Sequence, residues 1–290
     1  MKMYPNSPSV LNISRLINCR GKLLDLSTPR VMGILNVTPD SFYDGGKFTE
    51  SKAIIKQVGK MLINGASIID VGAQSTRPGA KIISEKTEKS RLIPAIDAIM
   101  NKFPEAILSV DTFRASVVIA AIEKGASIIN DVSGGNFDKE MFKTAGKLNV
   151  PYILMHMQGS PETMQKDPKY KDVVSEVTAF FLNKIAKLKK AGVTDIIIDP
   201  GFGFGKTVEH NYKLLNNIRT LEMTGHPVLA GISRKSMICK VLKVNPDKAL
   251  NGTTALNMAA LINGASILRV HDVKEAVEVV RLYDALKSHQ

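Results

Sequence analysis

Short apolar runs recur along the chain, each followed by a polar residue able to do chemistry, and no other feature narrows the fold so far. The runs are 31–35 before Asn36, 67–69 before Asp70, 107–110 before Asp111, 127–129 before Asn130, 152–155 before His156, 195–198 before Asp199, 228–232 before Ser233 and 266–268 before Arg269. A parallel strand buried on both faces reads as an unbroken apolar run. Closed into a barrel, such strands gather their C-terminal ends at one mouth, so eight runs deliver eight polar groups to one place.

Between the runs lie stretches of helical period. Ile54, Val58, Met61 and Leu62 recur at spacings of three and four, as do Val173, Val177, Phe181, Ile185 and Leu188. The phrase Asn64-Gly-Ala-Ser returns as Lys124-Gly-Ala-Ser and Asn263-Gly-Ala-Ser, with Ala191-Gly-Val-Thr as a looser copy. Glycine suits the left-handed turn that ends a helix, so each copy marks a short helix-to-strand connection. Alternation of this kind leaves an open doubly wound sheet or a closed barrel, and the count of eight favours a (β/α)8 TIM barrel of the α/β class. A length of 290 residues suits one such domain over 1–290. Residues 1–16 fall outside the repeat and are expected to be poorly ordered. Residues 17–30 read as two short strands around Arg20-Gly21, an N-terminal hairpin covering the barrel floor.

The formal charge of +12 is scattered along helical segments such as 184–190, which fits solvated helix faces, and no nucleic-acid partner is expected. The same charge favours a small anionic substrate. Two cysteines far apart, Cys19 and Cys239, give neither disulfide nor metal spacing and suit a reduced, cytoplasmic setting. No stretch approaches the roughly 18 apolar residues of a membrane span, so no membrane partner is expected.

Asp199-Pro-Gly-Phe-Gly-Phe-Gly-Lys206 imitates two nucleotide motifs and satisfies neither. Pro200 stands where a P-loop needs its first glycine, and Lys206 where a dinucleotide fingerprint started at Gly201 needs its third. What remains is an acid at a strand end and a flexible aromatic-bearing loop, suited to a planar ligand or to a plain turn. Asp111, Asn130 and Asp199 would converge in a barrel, where two carboxylates and an amide can read the amino and ring N–H edge of a pterin or guanine-like base. Each taken singly could instead cap a helix. Asp70 either touches the ligand or orients other groups. Ser233-Arg-Lys-Ser236 and Arg269-Val-His271 follow the last two runs, where barrels often hold phosphate. His156 reads equally as a ligand or as a structural histidine, and His210, His226 and His289 as surface residues. No cluster has zinc spacing. The loops after Asn36 and Asp70 are rich in Gly and Pro and are expected to be mobile lids.

Taken in order, Met32-Gly-Ile-Leu-Asn-Val-Thr-Pro-Asp-Ser-Phe-Tyr-Asp-Gly-Gly46, Asp70-Val-Gly-Ala-Gln-Ser-Thr-Arg-Pro-Gly79, Ser109-Val-Asp-Thr112, Ile129-Asn-Asp-Val132, the 199–206 segment, Ser233-Arg-Lys-Ser236 and Arg269-Val-His-Asp272 closely resemble the successive motifs of the dihydropteroate synthase family. The resemblance runs from about Ile17 to the C-terminus. It implies a TIM barrel that joins 6-hydroxymethyl-7,8-dihydropterin diphosphate to p-aminobenzoate, forms dihydropteroate and pyrophosphate for folate synthesis, and is a target of sulfonamides. It implies that Asp111, Asn130, Met155, Asp199 and Lys235 hold the pterin and that Arg269 and His271 hold the diphosphate. Asn36 would bind Mg2+ through its amide oxygen. Thr76, Arg77, Pro78, Phe204 and Ser236 would shape the p-aminobenzoate site, with Asp40 and Phe42 closing over it. Asp40, Arg77 and Lys235 would be the catalytic residues. A homodimer is implied as well. Two positions depart from the pattern: Gln74 where many relatives have Glu, and Tyr43 where Ser is frequent. A pterin-dependent methyltransferase domain and a non-catalytic pterin-binding protein are the rival readings, disfavoured by Thr76-Arg77-Pro78 with Ser233-Arg-Lys-Ser236 and by the presence of Asn36, Arg269 and His271 respectively.

Overall fold

The computed structural model of the protein describes residues 15–38, 47–74, 82–160, 163–164 and 167–289. The expectations for 1–14, for Asp40, Phe42 and Tyr43, and for Thr76, Arg77 and Pro78 lie outside the described residues. Two antiparallel strands come first, β1 (Leu16–Cys19) and β2 (Lys22–Asp25). Eight parallel strands follow: β3 (Arg30–Asn36), β4 (Ile68–Gly72), β5 (Leu108–Asp111), β6 (Ile128–Asp131), β7 (Tyr152–Met155), β8 (Ile196–Asp199), β9 (Leu229–Ala230) and β10 (Ile267–Val270). Their spatial order is β8-β7-β6-β5-β4-β3-β10-β9. A single parallel bridge between Ile198 and Val228 joins the two ends of that row, with Ile198 N donating to Pro227 O at 2.9 Å. Eight runs and one ring match the barrel read from the sequence.

The helices between the strands are α1 (Lys47–Ile63), α2 (Glu85–Lys102), α3 (Ala115–Glu123), α4 (Met141–Leu148), α5 (Val173–Lys190), α6 (Val208–Asn216), α7 (Ile218–Glu222), α8 (Ser236–Leu242), α9 (Leu250–Ile262) and α10 (Val273–Ser288). The repeated helix-ending phrase works as read: Gly65, Gly125, Gly192 and Gly264 all take positive φ, between 94° and 107°. Helix faces and the outward strand residues form the larger apolar layer, including Val58, Leu92, Ile96, Val117, Val177, Phe181 and Leu214.

A smaller apolar cluster fills the barrel itself. Met32, Ile68, Ile128, Ile153, Ile197, Leu229 and Ile267 point inward at the N-terminal end and pack on Ile17, Cys19, Leu24 and Leu26 of the hairpin. The hairpin is therefore a plug in the floor. Burial pushes the Cys19 thiol up to about 12, so it is packed in its neutral form. Basic hairpin residues also serve carbonyls beyond the hairpin: Arg20 Nη1 donates to Ile122 O in α3 at 2.6 Å, and Lys22 Nζ to Pro104 O at 2.5 Å. Among the described residues no helix is long and apolar enough to cross a membrane.

Candidate active site

Side chains on a strand alternate between faces, so the residue two positions after each plug residue also points into the barrel. Counting two on from Ile68, Ile128, Ile153, Ile197, Leu229 and Ile267 gives Asp70, Asn130, Met155, Asp199, Gly231 and Arg269. The polar floor of the mouth thus lies one step above the apolar plug. Asp111 joins from β5 in register with Asn130 of β6 and Gly72 of β4. A Cβ on Gly72 would come within 3.2 Å of Asp111 Cβ, so the glycine makes room for that carboxylate.

Arg269 is clamped between two acids. Its Nε donates to Asp70 Oδ2 at 2.7 Å and its Nη2 to Asp111 Oδ2 at 2.8 Å. Asn130 Nδ2 donates to the same Asp70 Oδ2 at 3.0 Å. Burial pushes the Asp111 carboxyl up to about 7 against the pull of Arg269, with repulsion from Asp70 next in weight. For Arg269 burial works against the charge, but Asp70 and Asp111 more than offset it and raise its pKa. The rival reading of these residues as helix caps fails: the N-caps of α3, α4 and α6 are Arg114, Glu140 and Thr207, and Asp199 accepts from Gly201 N at 2.7 Å in a turn ahead of α6.

On the other side of the mouth, Lys235 reaches from the N-terminal end of α8. Its Nζ donates to Phe202 O and lies 4.5 Å from the centroid of the Phe204 ring. Burial lowers the Lys235 pKa to about 8 while Asp199 pulls it upward. The Asp199 carboxyl is itself raised by burial, against Lys235. Phe204 packs with Phe113, Val132, Met155, Met157 and Met164, an apolar wall beside the acids. Acceptors and cations on one side and soft apolar atoms on the other suit a flat, polar-edged heterocycle.

The loop carrying Phe202 and Phe204 is pinned from inside by Lys206, which is 3% exposed. Its Nζ meets Gly201 O at 3.0 Å, Phe204 O at 3.0 Å and His156 Nδ1 at 2.9 Å. With His156 O also at 3.4 Å, acceptors surround every proton of the ammonium, although burial lowers the Lys206 pKa to about 7. His156 is held neutral, its pKa driven to about 2 by burial and then by Lys206, so Nδ1 is an acceptor. This makes His156 a structural partner of the loop. Gly201, at φ +67°, lies so close to β7 that a Cβ would sit 2.0 Å from His156 O.

Other sequence-named residues sit at the rim. His271 and Ser236 are exposed, and Asn36 is exposed at the end of β3. His271 Nδ1 meets Ser233 Oγ at 3.0 Å, while Arg234 makes a two-pronged pair with Asp272 at 2.9 and 2.7 Å. Arg234 is thus committed to the protein, and of the two basic residues in Ser233-Arg-Lys-Ser236 only Lys235 turns to the mouth. Asp70 and Arg269 lie within their strands rather than at the ends, Ser233 lies three residues past β9, and Asp131 rather than Asn130 ends β6. His226 is buried rather than on the surface, its pKa lowered to about 4 by burial. His210 completes the capping box of α6 with Thr207.

Residues not named from the sequence support the second loop. Glu88, fully buried, pairs with Arg114 and accepts from Thr112 Oγ1 at 2.6 Å, while Arg114 Nη2 donates to Ile83 O at 2.6 Å. Gln74 Oε1 accepts from Ile83 N at 2.8 Å, clasping the two stems of that loop. An amide oxygen accepts this bond as a carboxylate would, which explains how the chain tolerates Gln74.

Comparison with known proteins adds to this geometry. A family model described as pterin binding enzyme matches residues 32–271. The chain is 46% identical to Escherichia coli dihydropteroate synthase over 271 residues, covering 93% of this chain and 95% of that one. It is 45% identical to the Haemophilus influenzae dihydropteroate synthase, covering 98% of each chain. The crystal structure of Yersinia pestis dihydropteroate synthase in a sulfonamide drug complex superposes with a TM-score of 0.89 at 42% identity, covering 94% of this chain and 99% of that one. With a barrel whose polar residues stand in the family's order and whose matches run nearly end to end, this chain belongs to the dihydropteroate synthase family of pterin-binding enzymes.

Proposed function

We propose that this protein condenses 6-hydroxymethyl-7,8-dihydropterin diphosphate with p-aminobenzoate, releasing pyrophosphate and forming 7,8-dihydropteroate. The observation that carries the reading is the acid-rich barrel mouth, Asp70, Asp111 and Asp199 around Arg269 and Lys235, with an apolar wall at Met155 and Phe204. A solved relative, the Xanthomonas albilineans dihydropteroate synthase, binds 4-aminobenzoic acid and superposes at a TM-score of 0.88.

In this reading Asp111, Asn130 and Asp199 bind the amino and ring N–H edge of the pterin, against Met155. Lys235 donates to the ring from the other side while Phe204 and Ser236 border p-aminobenzoate. Arg269 from the floor and His271 from the rim hold the diphosphate, and the family resemblance assigns Thr76, Arg77, Pro78 and Asp40 to the p-aminobenzoate site. As the diphosphate departs, positive charge develops on the pterin methylene, and the buried carboxylates stabilise it. The neutral aromatic amine attacks that carbon once the C–O bond to the diphosphate has broken, and the N–H proton it then sheds passes to water, so no strong base is needed. Among the described residues no group of three His, Cys, Asp or Glu side chains stands ready to hold a metal. A lone amide oxygen at Asn36 fits Mg2+, which keeps most of its waters and binds substrate phosphates. When bound, that ion neutralises charge on the leaving diphosphate.

We extend the reading to a homodimer in the cytoplasm. Exposed Val241 and Leu242 of α8, Ile262 of α9, and Leu282 and Leu286 of α10 offer apolar surface for a second copy, and two unpaired thiols suit a reducing compartment. A pyrophosphate-release assay with and without p-aminobenzoate tests the activity. Release that depends on both substrates is expected. Pterin binding with no p-aminobenzoate-dependent release would overturn it in favour of a methyltransferase domain or a silent binder.

A further inference from the structure

We propose that Asp70 fixes the hydrogen-bonding polarity of Asn130, and so makes the pocket prefer a heterocycle with an amino group on its reading edge over one with a carbonyl there. The inference rests on the pterin reading above. Asp70 is a positioning residue in this scheme, acting on the ligand only through its neighbours.

Donors and acceptors set the direction of the Asn130 amide. Asp70 is 1% exposed, and its Oδ2 already receives Arg269 Nε at 2.7 Å. An oxygen engaged in that way offers Asn130 only an acceptor. A carboxamide has one donor end and one acceptor end, so the Asn130 NH2 must face Asp70, as the 3.0 Å contact has it, and its Oδ1 must face away. Strand register gives that direction. Asn130 is level with Asp111 and Gly72, whereas Asp70 lies two residues nearer the plug on β4. The amide therefore turns its donor down into the barrel and its acceptor up toward the mouth.

Two further acceptors join it. Arg269 takes Asp111 Oδ2 and Gly201 N takes Asp199 Oδ1, which leaves the other oxygen of each carboxylate for a ligand. With both carboxyls ionised, all three presented groups accept. A ligand edge bearing amino and ring N–H donors satisfies them, while a carbonyl in place of the amino group sets oxygen against oxygen. Arg269 and Asn130 donate to the same Asp70 oxygen, so an Asp70→Asn side chain with its oxygen in that place keeps both bonds and the amide's direction, whereas Asp70→Ala removes the acceptor and lets Asn130 turn its NH2 to the ligand.

The test compares binding of 6-hydroxymethylpterin with that of its 2-oxo analogue, 6-hydroxymethyllumazine, by titration calorimetry on the full chain. Wild type and Asp70→Asn are expected to favour the 2-amino compound, and Asp70→Ala to lose about tenfold or more of that preference. A support role without polarity control weakens both ligands equally, so an unchanged ratio in Asp70→Ala overturns the proposal. Should Asp70→Ala fail to fold by circular dichroism, Asp70→Ser, too short to hold the Asn130 amide, takes its place: lost preference supports polarity control and kept preference overturns it. Wild type that binds neither compound fails differently, because it removes the pterin reading and the inference together.

Discussion

Asp199 divides its two oxygens between different tasks, one accepting from Gly201 N at 2.7 Å and the other left for the mouth. Asp199→Asn removes the charge that would face a cationic methylene and places an NH2 against one of two donors. Hydrogen bonds to charged groups contribute about 1.5–3 kcal/mol, so kcat/KM for the pterin substrate should fall by roughly 10- to 100-fold. Steady-state kinetics should show kcat falling along with a rise in pterin KM. Near-normal turnover would remove Asp199 from the mechanism. The sequence made Asp199, Asp111 and Asn130 legible because each closes an apolar run. Asp70 stayed ambiguous because a fully apolar strand hides its period of two: only the plug, once visible, tells which alternate residues point inward.

At the scale of single elements, the 199–207 loop is the part whose order has the most specific cause. Lys206→Met leaves Gly201 O and Phe204 O without their buried donor. Each unsatisfied group costs about 1–3 kcal/mol, so for the two a stability loss of roughly 2–6 kcal/mol is expected in thermal unfolding. Because Phe204 would lose its fixed position over Lys235, the KM for p-aminobenzoate should rise more than the Kd for pterin. Equal effects on both ligands would mean that the loop serves stability alone. Helices and strands were legible from their periods and from the repeated Gly-Ala-Ser turns. The loop's brace was not, since Lys206 reads as a failed phosphate motif until His156 and two carbonyls surround it. Likewise β9 is only two residues long, although its apolar run is five. The residues beyond it leave the strand and carry Lys235 close enough to Asp199 for their charges to interact.

For the whole molecule, burial of the mouth's charges predicts how stability varies with pH. The Asp111 pKa is raised to about 7 from its ordinary 3.8, so its stabilising contribution is complete below about pH 4 and is lost as pH rises through 7. Lys206 and Lys235 are lowered to about 7 and about 8 from 10.5, so theirs is complete above about pH 10.5 and is lost as pH falls through 8 and 7. Together these three groups place a trough near neutrality in the ligand-free protein. Melting temperatures from pH 4 to 8 check it: relative to Asp111→Asn, wild type should lose stability steadily across that range. Parallel curves for the two proteins would show that Asp111 does not titrate in this way.

The ring of eight strands is fastened at its last joint by one bridge, Ile198 to Val228. Every other pair of neighbouring strands shares at least two registered residues, so thermal breathing of the barrel concentrates at this latch. The segments carrying Asp199 and Lys235 leave from either side of it. A molecule gripped by both would span the gap like a staple, so occupancy of the mouth would also lock the cylinder shut.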